Sequence, residues 1–185
     1  MFQIRKNQEG LTLIELIIAL GVFSLAVFIA VSLFLSSLKA QKKILAIQSS
    51  LDNLKYVMEM LTKEARMAKT DLGSCGQANY IYFVSPINNE LSFVSSQDEC
   101  VKYILSAEGR LIKQISRGGE TLGEMPITSE EVIIDQIKFI SPEMELENPA
   151  TSQPKLTISI NFYPKNIPSA TVVHMQTTIS SRAYE

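Results

Sequence analysis

Residues 16–38 read LIIALGVFSLAVFIAVSLFLSSL, 23 residues without a charge, and the rest of the chain is organised around them. As a helix rising about 1.5 Å per residue, the run reaches roughly 35 Å, enough to cross a hydrocarbon core of about 30 Å. Leu, Ile, Val, Ala and Phe fall on every side of it, whereas the core helix of a soluble domain keeps a polar face. The segment is therefore predicted to be a transmembrane helix. With 185 residues in all, the chain has room for one compact domain beside it and not for two large ones.

Ahead of the run the chain is short and polar: residues 1–10 read MFQIRKNQEG, with Arg5 and Lys6 and no apolar stretch. A secretory signal would carry its own apolar region followed by a small-residue cleavage site. Residues 33–39, LFLSSLK, offer no Ala-x-Ala site, so the apolar segment is expected to be retained and any processing to fall before it. At the entrance to the run stands Glu15. A carboxylate costs about 2.5–3.5 kcal/mol at the bilayer centre on insertion scales, and less near an interface, so it needs a partner. Taken alone, Glu15 reads as a group that snorkels to water or stays protonated.

The junction Gly10-Leu11-Thr12-Leu13-Ile14-Glu15-Leu16 resembles the class III signal of type IV prepilins and type II secretion pseudopilins, in which Gly and Phe precede Thr-Leu-Ile-Glu-Leu. One aligned position differs, Leu11 for the usual Phe, and other apolar residues are tolerated there in the family. The resemblance implies that a membrane-embedded aspartic prepilin peptidase cuts between Gly10 and Leu11 from the cytoplasmic face, then methylates the new Leu11 amine. Gly10 suits that chemistry, because a residue without Cβ lets the backbone extend into a protease cleft. The resemblance also implies a partner for Glu15: the Leu11 amine, on its own chain or a neighbour's, which sets the register of each incoming subunit. The positive-inside rule leaves orientation open, since Lys39, Lys42 and Lys43 follow the helix while Arg5, Lys6 and the starting amine precede it. The cleavage motif puts the C-terminal part outside the cell membrane, where the three lysines would meet lipid headgroups.

Beyond the membrane segment the helical period continues. Ile44, Ile47, Leu51, Leu54, Met58, Leu61, Ala65 and Ala68 recur at alternating spacings of 3 and 4, with no Gly or Pro before Gly73. Glu59 and Lys63 add an i,i+4 pair in the favourable order. So regular a heptad also marks a coiled coil, but the stripe ends in small Ala residues. One continuous helix over about residues 12–71 is predicted, its second half laid on a sheet. Gly73-Ser74-Cys75-Gly76 ends it. Segments rich in β-branched and aromatic residues follow at 80–84, 91–94, 101–105, 111–116, 132–140, 155–163 and 171–180.

One long helix followed by antiparallel strands is an α+β layout. It divides into a leader over 1–10, a transmembrane helix over 11–38, an amphipathic continuation over 39–71 and a β-rich globular domain over 72–185. This also resembles pilin globular domains. The order of strands and the phrase Gln176-Thr177-Thr178-Ile179-Ser180-Ser181-Arg182 are most similar to PilW/PulJ-like minor pilins and pseudopilins. Cys75 and Cys100 both lie beyond the membrane helix. A lone pair in an anchored domain suits one disulfide on the oxidising side, with two buried free thiols as the alternative. A bridge would enclose 24 residues and stabilise the fold by about 3 kcal/mol on a chain-entropy estimate.

Catalytic chemistry finds little footing. His174 is the sole histidine, and strand alternation sets it opposite Val173, Met175 and Ile179, so neither zinc nor a nucleophile–His pair is supported. Glu143, Glu145 and Glu147 are hard ligands of the kind calcium takes, and equally a solvated acidic loop. Arg110, Lys113 and Arg117 could meet DNA phosphates or merely solvate a strand face. The net charge of −2 gives no overall pull toward nucleic acid. Ala26 and Ala30 permit close helix packing.

The expectation is a non-enzymatic structural subunit of a type IV pilus or type II secretion-like pseudopilus, without a cofactor. Its partners are the prepilin peptidase, other pilins and inner-membrane lipid, and DNA has no positive support. It would sit as a single-pass inner-membrane protein with its domain outside, then in the fibre. The alternative is an uncleaved, signal-anchored extracytoplasmic binding module.

Overall fold

The computed structural model describes residues 12–142, 153–165, 167 and 172–182, and it falls into two compact units, Met1–Ile44 and Leu45–Glu185. Helix α1 spans Leu13–Arg66. Thr12 begins it, its carbonyl accepting the amides of Glu15 and Leu16 and its hydroxyl oxygen standing 3.4 Å from the Glu15 nitrogen. Thr12 and Glu15 thus occupy the positions of an N-terminal capping box, a signal that the Thr-x-x-Glu spacing carries in the sequence.

In the first unit every side chain from Thr12 to Lys42 is exposed. The hydroxyls of Ser24 and Ser32 are polar groups that apolar surroundings would penalise, and each turns back onto the helix. Ser24 Oγ donates to the Leu20 carbonyl at 2.7 Å and Ser32 Oγ to the Phe28 carbonyl at 2.9 Å.

In the second unit α1 buries Ser50, Leu54, Val57, Met58, Leu61 and Ala65. The predicted stripe is covered from Leu54 onward, whereas Ile44 is exposed. Val57 lies off the stripe and is fully buried, because the helix faces one core to which both sheets contribute and the covered arc is wider than a heptad seam.

The helix ends at Arg66, short of the predicted 71. No Gly or Pro stops it. The Lys69 amide instead donates to the Val94 carbonyl at 2.9 Å, which draws the chain onto a strand. Two of the open carbonyls at the helix end find partners far along the sequence. Tyr82 Oη donates to the Ala65 carbonyl at 2.8 Å, and the Arg182 amide to the Arg66 carbonyl at 3.1 Å.

The strands make two antiparallel meanders rather than one sheet. The first runs β1 (Phe83–Val84), β2 (Leu91–Val94), β3 (Cys100–Leu105), β4 (Leu111–Arg117) and β5 (Glu120–Pro126), in that order. The second is β6 (Val132–Ile140), β7 (Lys155–Pro164) and β8 (Val173–Ser180). Strand β5 was not predicted, since it has few β-branched residues and is exposed almost throughout. Its turn was legible: Gly118 and Gly119 have φ of 60° and 87°, the two positive angles that a tight hairpin of this kind requires. The predicted strand at 80–84 shrinks to β1, with Ile81 and Tyr82 buried ahead of it.

The sheets stay separate because loops of the first hold backbone groups of β6 that another strand would otherwise pair. The Ile134 amide donates to the Gly109 carbonyl at 2.8 Å. The Asn89 side-chain amide donates to the Ile137 carbonyl, and its oxygen accepts the Phe139 amide at 3.2 Å. Gly109 has φ of +75°, and a Cβ there would stand 2.9 Å from the Ile134 carbonyl oxygen, so both conformation and space call for glycine. Strand β7 shows the resulting pattern plainly: Leu156, Ile158, Ile160 and Phe162 are fully buried, while the residues between them are not. The core they enter also holds Leu54, Leu61, Tyr82, Phe93 and Tyr103, with the Phe93 and Tyr103 rings stacked at 6.0 Å.

Candidate assembly site

Three places in the structure bear on the residues singled out from the sequence. Glu15 sits in the first turn of α1, exposed, and is the sole carboxylate of the chain between Thr12 and Asp52. The first turn suits it electrostatically, because unpaired N–H groups give that end of a helix partial positive charge. Gly10 and Leu11 lie outside the described residues. From Leu13 to Leu38 the large apolar side chains of α1 are all accessible, Leu13, Phe28 and Leu33 among the most so. A surface of that extent needs lipid or other helices to cover it.

The second place is the end of the helix. Cys75 and Cys100 are joined by a disulfide, with Cα atoms 5.1 Å apart, which attaches the 71–80 loop to β3. The same loop is wound around Asp71, a buried carboxylate that sequence reasoning passed over. Asp71 Oδ1 accepts the amides of Gly73 at 2.9 Å and Ser74 at 2.7 Å, and the Ser74 hydroxyl at 3.1 Å. Its Oδ2 accepts the amides of Cys75 at 3.0 Å and Gly76 at 2.7 Å. Burial pushes this carboxyl up, but the amides of Ser74, Gly76 and Cys75 and the Ser74 hydroxyl outweigh it and hold it below its ordinary value. With both oxygens turned to internal donors, Asp71 organises a loop and offers little to a cation.

The third place is the contact of α1 with β3 and β4. Glu64 Oε2 accepts the Tyr103 hydroxyl at 2.6 Å, and Glu64 Oε1 pairs with Lys113 Nζ at 2.5 Å. Tyr103 and Lys113 face each other across the β3–β4 ladder, so one carboxylate clamps two strands to the helix. Burial, followed by the Glu64 carboxylate, pushes the Tyr103 phenol up and keeps it protonated.

The remaining candidates are committed elsewhere. Arg110 reaches the Thr128 carbonyl and Glu130, Lys113 is held by Glu64, and Arg117 pairs with Glu99 at 2.7 Å. A DNA phosphate would have to displace a carboxylate at each. His174 lies on the exposed side of β8, as predicted, in a row where its Nδ1 stands 2.6 Å from Asn161 Oδ1 and Asn161 reaches Gln136. Glu143, Glu145 and Glu147 lie outside the described residues, and no group of three or more potential metal ligands occurs among the described ones.

Comparison with known families adds one result. Residues 5–31 match the family described as the prokaryotic N-terminal methylation motif, a span that contains Gly10, Leu11 and Glu15. No match is found among the curated proteins or the solved structures. The chain thus joins an N-terminal methylation motif, typical of type IV pilin-like precursors, to one long helix and two antiparallel sheets.

Proposed function

We propose that this chain is a prepilin, cut between Gly10 and Leu11 by a prepilin peptidase, methylated on the Leu11 amine, and built as a minor subunit into a type IV pilus or type II secretion-like pseudopilus. The observation that carries the reading is a conjunction. The methylation motif over residues 5–31 leads directly into a helix whose side chains are exposed from Thr12 to Lys42, with one carboxylate, Glu15, in its first turn. Lipid covers that surface while the subunit waits in the membrane, and neighbouring helices cover it in the fibre, so transfer between the two costs little hydrophobic energy.

Cleavage supplies what Glu15 lacks. The amine freed at Leu11 is a cation placed where the helix begins, and in a low-dielectric fibre core the attraction between amine and carboxylate is strong enough to favour one register over others. The disulfide supports an extracytoplasmic domain, since such bonds persist on the oxidising side of the membrane.

Mass spectrometry of protein extracted from membranes of cells with a working prepilin peptidase tests the proposal. N-methyl-Leu11 as the first residue supports it. An intact Met1 terminus overturns it and favours a signal-anchored binding module.

A further inference from the structure

Among the described residues the two sheets end in the outer edges of β1, β5, β6 and β8, and three of these are closed to a further strand. Strand β1 is two residues long. Strand β5 exposes Glu120 and Glu124, shifts register against β4 and ends in Pro126, all devices that keep an edge from pairing. Strand β6 gives its Ile134 amide, Ile137 carbonyl and Phe139 amide to Gly109 and Asn89. Strand β8 has none of these protections. Its eight residues, VHMQTTIS, include no Asp, Glu, Lys, Arg, Gly or Pro. They pair with β7 without a register shift, from Lys155–Ser180 to Phe162–Val173, and among the described residues no strand lies on the other side. A regular edge of this kind, without formal charge and rich in β-branched residues, is a template for another strand.

We infer that β8 is a self-pairing edge, at which two copies of this chain join antiparallel about a two-fold axis through Gln176. The occupant follows by elimination, because a second copy offers no other open strand edge. The register follows from the two faces of the strand. Centring the pair on Gln176 sets His174 against Thr178, and Gln176 against its mate, on the exposed side. On the core side it sets Val173 against Ile179 and Met175 against Thr177, so each face continues across the junction. Centring on Thr177 instead would leave Val173 against Ser181. No like charges meet, which a strand with acidic or basic residues could not offer to a copy of itself. Each copy engages its one open edge, so the pairing closes as a dimer and does not extend into a filament. The inference depends neither on cleavage at Gly10 nor on fibre assembly.

The test uses the full chain in micelles, where the Cys75–Cys100 bridge leaves an introduced cysteine as the sole thiol. Gln176→Cys should cross-link to its mate on oxidation, whereas Gln136→Cys, exposed on β6 two strands away, should not. A mixture of His174→Cys and Thr178→Cys should cross-link between the two variants in preference to either with itself. Gln176→Lys should weaken the dimer followed by sedimentation about fivefold at low salt, the size of an opposed like-charge pair, and mixing it with Gln176→Glu should restore it. Gln176 is exposed, so these changes leave the core alone. A dimer indifferent to Gln176→Lys is held elsewhere, through α1 for instance, and overturns the inference. So does a wild type that stays monomeric as its concentration is raised, or a Gln176→Cys chain that forms no cross-link. Cross-linking of Gln176→Cys to a different protein in intact cells, with none to itself, assigns the edge to that partner and equally overturns the inference. Should Gln176→Lys fail to fold, the pattern of cross-links decides alone.

Discussion

Replacing Asp71 with Asn changes one atom and breaks a hydrogen-bond arrangement that has no slack. An asparagine keeps one acceptor oxygen and puts an NH2 where the second oxygen stood. At the Oδ2 position that NH2 would face the Cys75 and Gly76 amides, now 3.0 and 2.7 Å away, donor against donor. Flipping the amide moves the conflict to Gly73 and Ser74. A stranded N–H costs about 1–3 kcal/mol when buried; two are stranded here, and with Gly76 exposed and Cys75 only half-buried the lower end applies to each, so Asp71→Asn should cost about 2 kcal/mol.

The effect carries a pH signature. The Asp71 carboxyl is held below its unfolded value, so its contribution is fully present above the ordinary carboxylate range near about 4 and is lost as pH falls through the depressed folded value. Wild type and Asp71→Asn should differ at pH 7 and converge under strong acid. Urea titration of the full chain in micelles, followed by the near-ultraviolet signal of its tyrosines, reads the gap. Hydrogen exchange at Gly73–Gly76 reads the loop itself. Equal midpoints at pH 7, or a gap unchanged by acid, would refute the account of the loop as wound on an ionised Asp71.

The other expectations are shorter. Cys75→Ser with Cys100→Ser should lower stability by about 3 kcal/mol on the chain-entropy estimate while leaving the loop partly protected in hydrogen exchange, since Asp71 still gathers its amides; full exposure of those amides would show that the disulfide alone fixes the loop. Tyr103→Phe should cost about 1–3 kcal/mol in urea unfolding by removing a hydrogen bond to an ionised partner; no change would mean that water serves Glu64 equally well. Glu15→Ala should leave membrane insertion, cleavage and the unfolding midpoint unaltered but lower the number of subunits in sheared fibres, and wild-type incorporation would remove Glu15 from the register role.

The contrast between what the sequence discloses and what it hides follows the reach of each interaction. The apolar run, the stripe through Leu54, Met58, Leu61 and Ala65, and the Thr12–Glu15 start are governed by neighbours within a helical turn or two, so period and spacing expose them. The end of α1 is different. It is set by Val94, Tyr82 and Arg182, partners that only the folded domain brings together, and a helical period carries no trace of them. The pairing of Glu64 with Lys113, 49 residues apart, is hidden for the same reason, and so is the stitching of Asn89 onto β6. Asp71 is the intermediate case. Its partners lie within five residues, and an Asp ahead of Gly-Ser is a turn signal that a loop-by-loop reading could have found. The proposed assembly chemistry belongs wholly to the short-range class: Gly10, Leu11 and Glu15 fall within six consecutive residues, and the methylation motif extends only over residues 5–31. That separation has a physical consequence. If cleavage, membrane insertion and register depend on the head of the helix, the two sheets are free to differ between subunits without disturbing them, and the domain's own surface becomes the place where one subunit is distinguished from another.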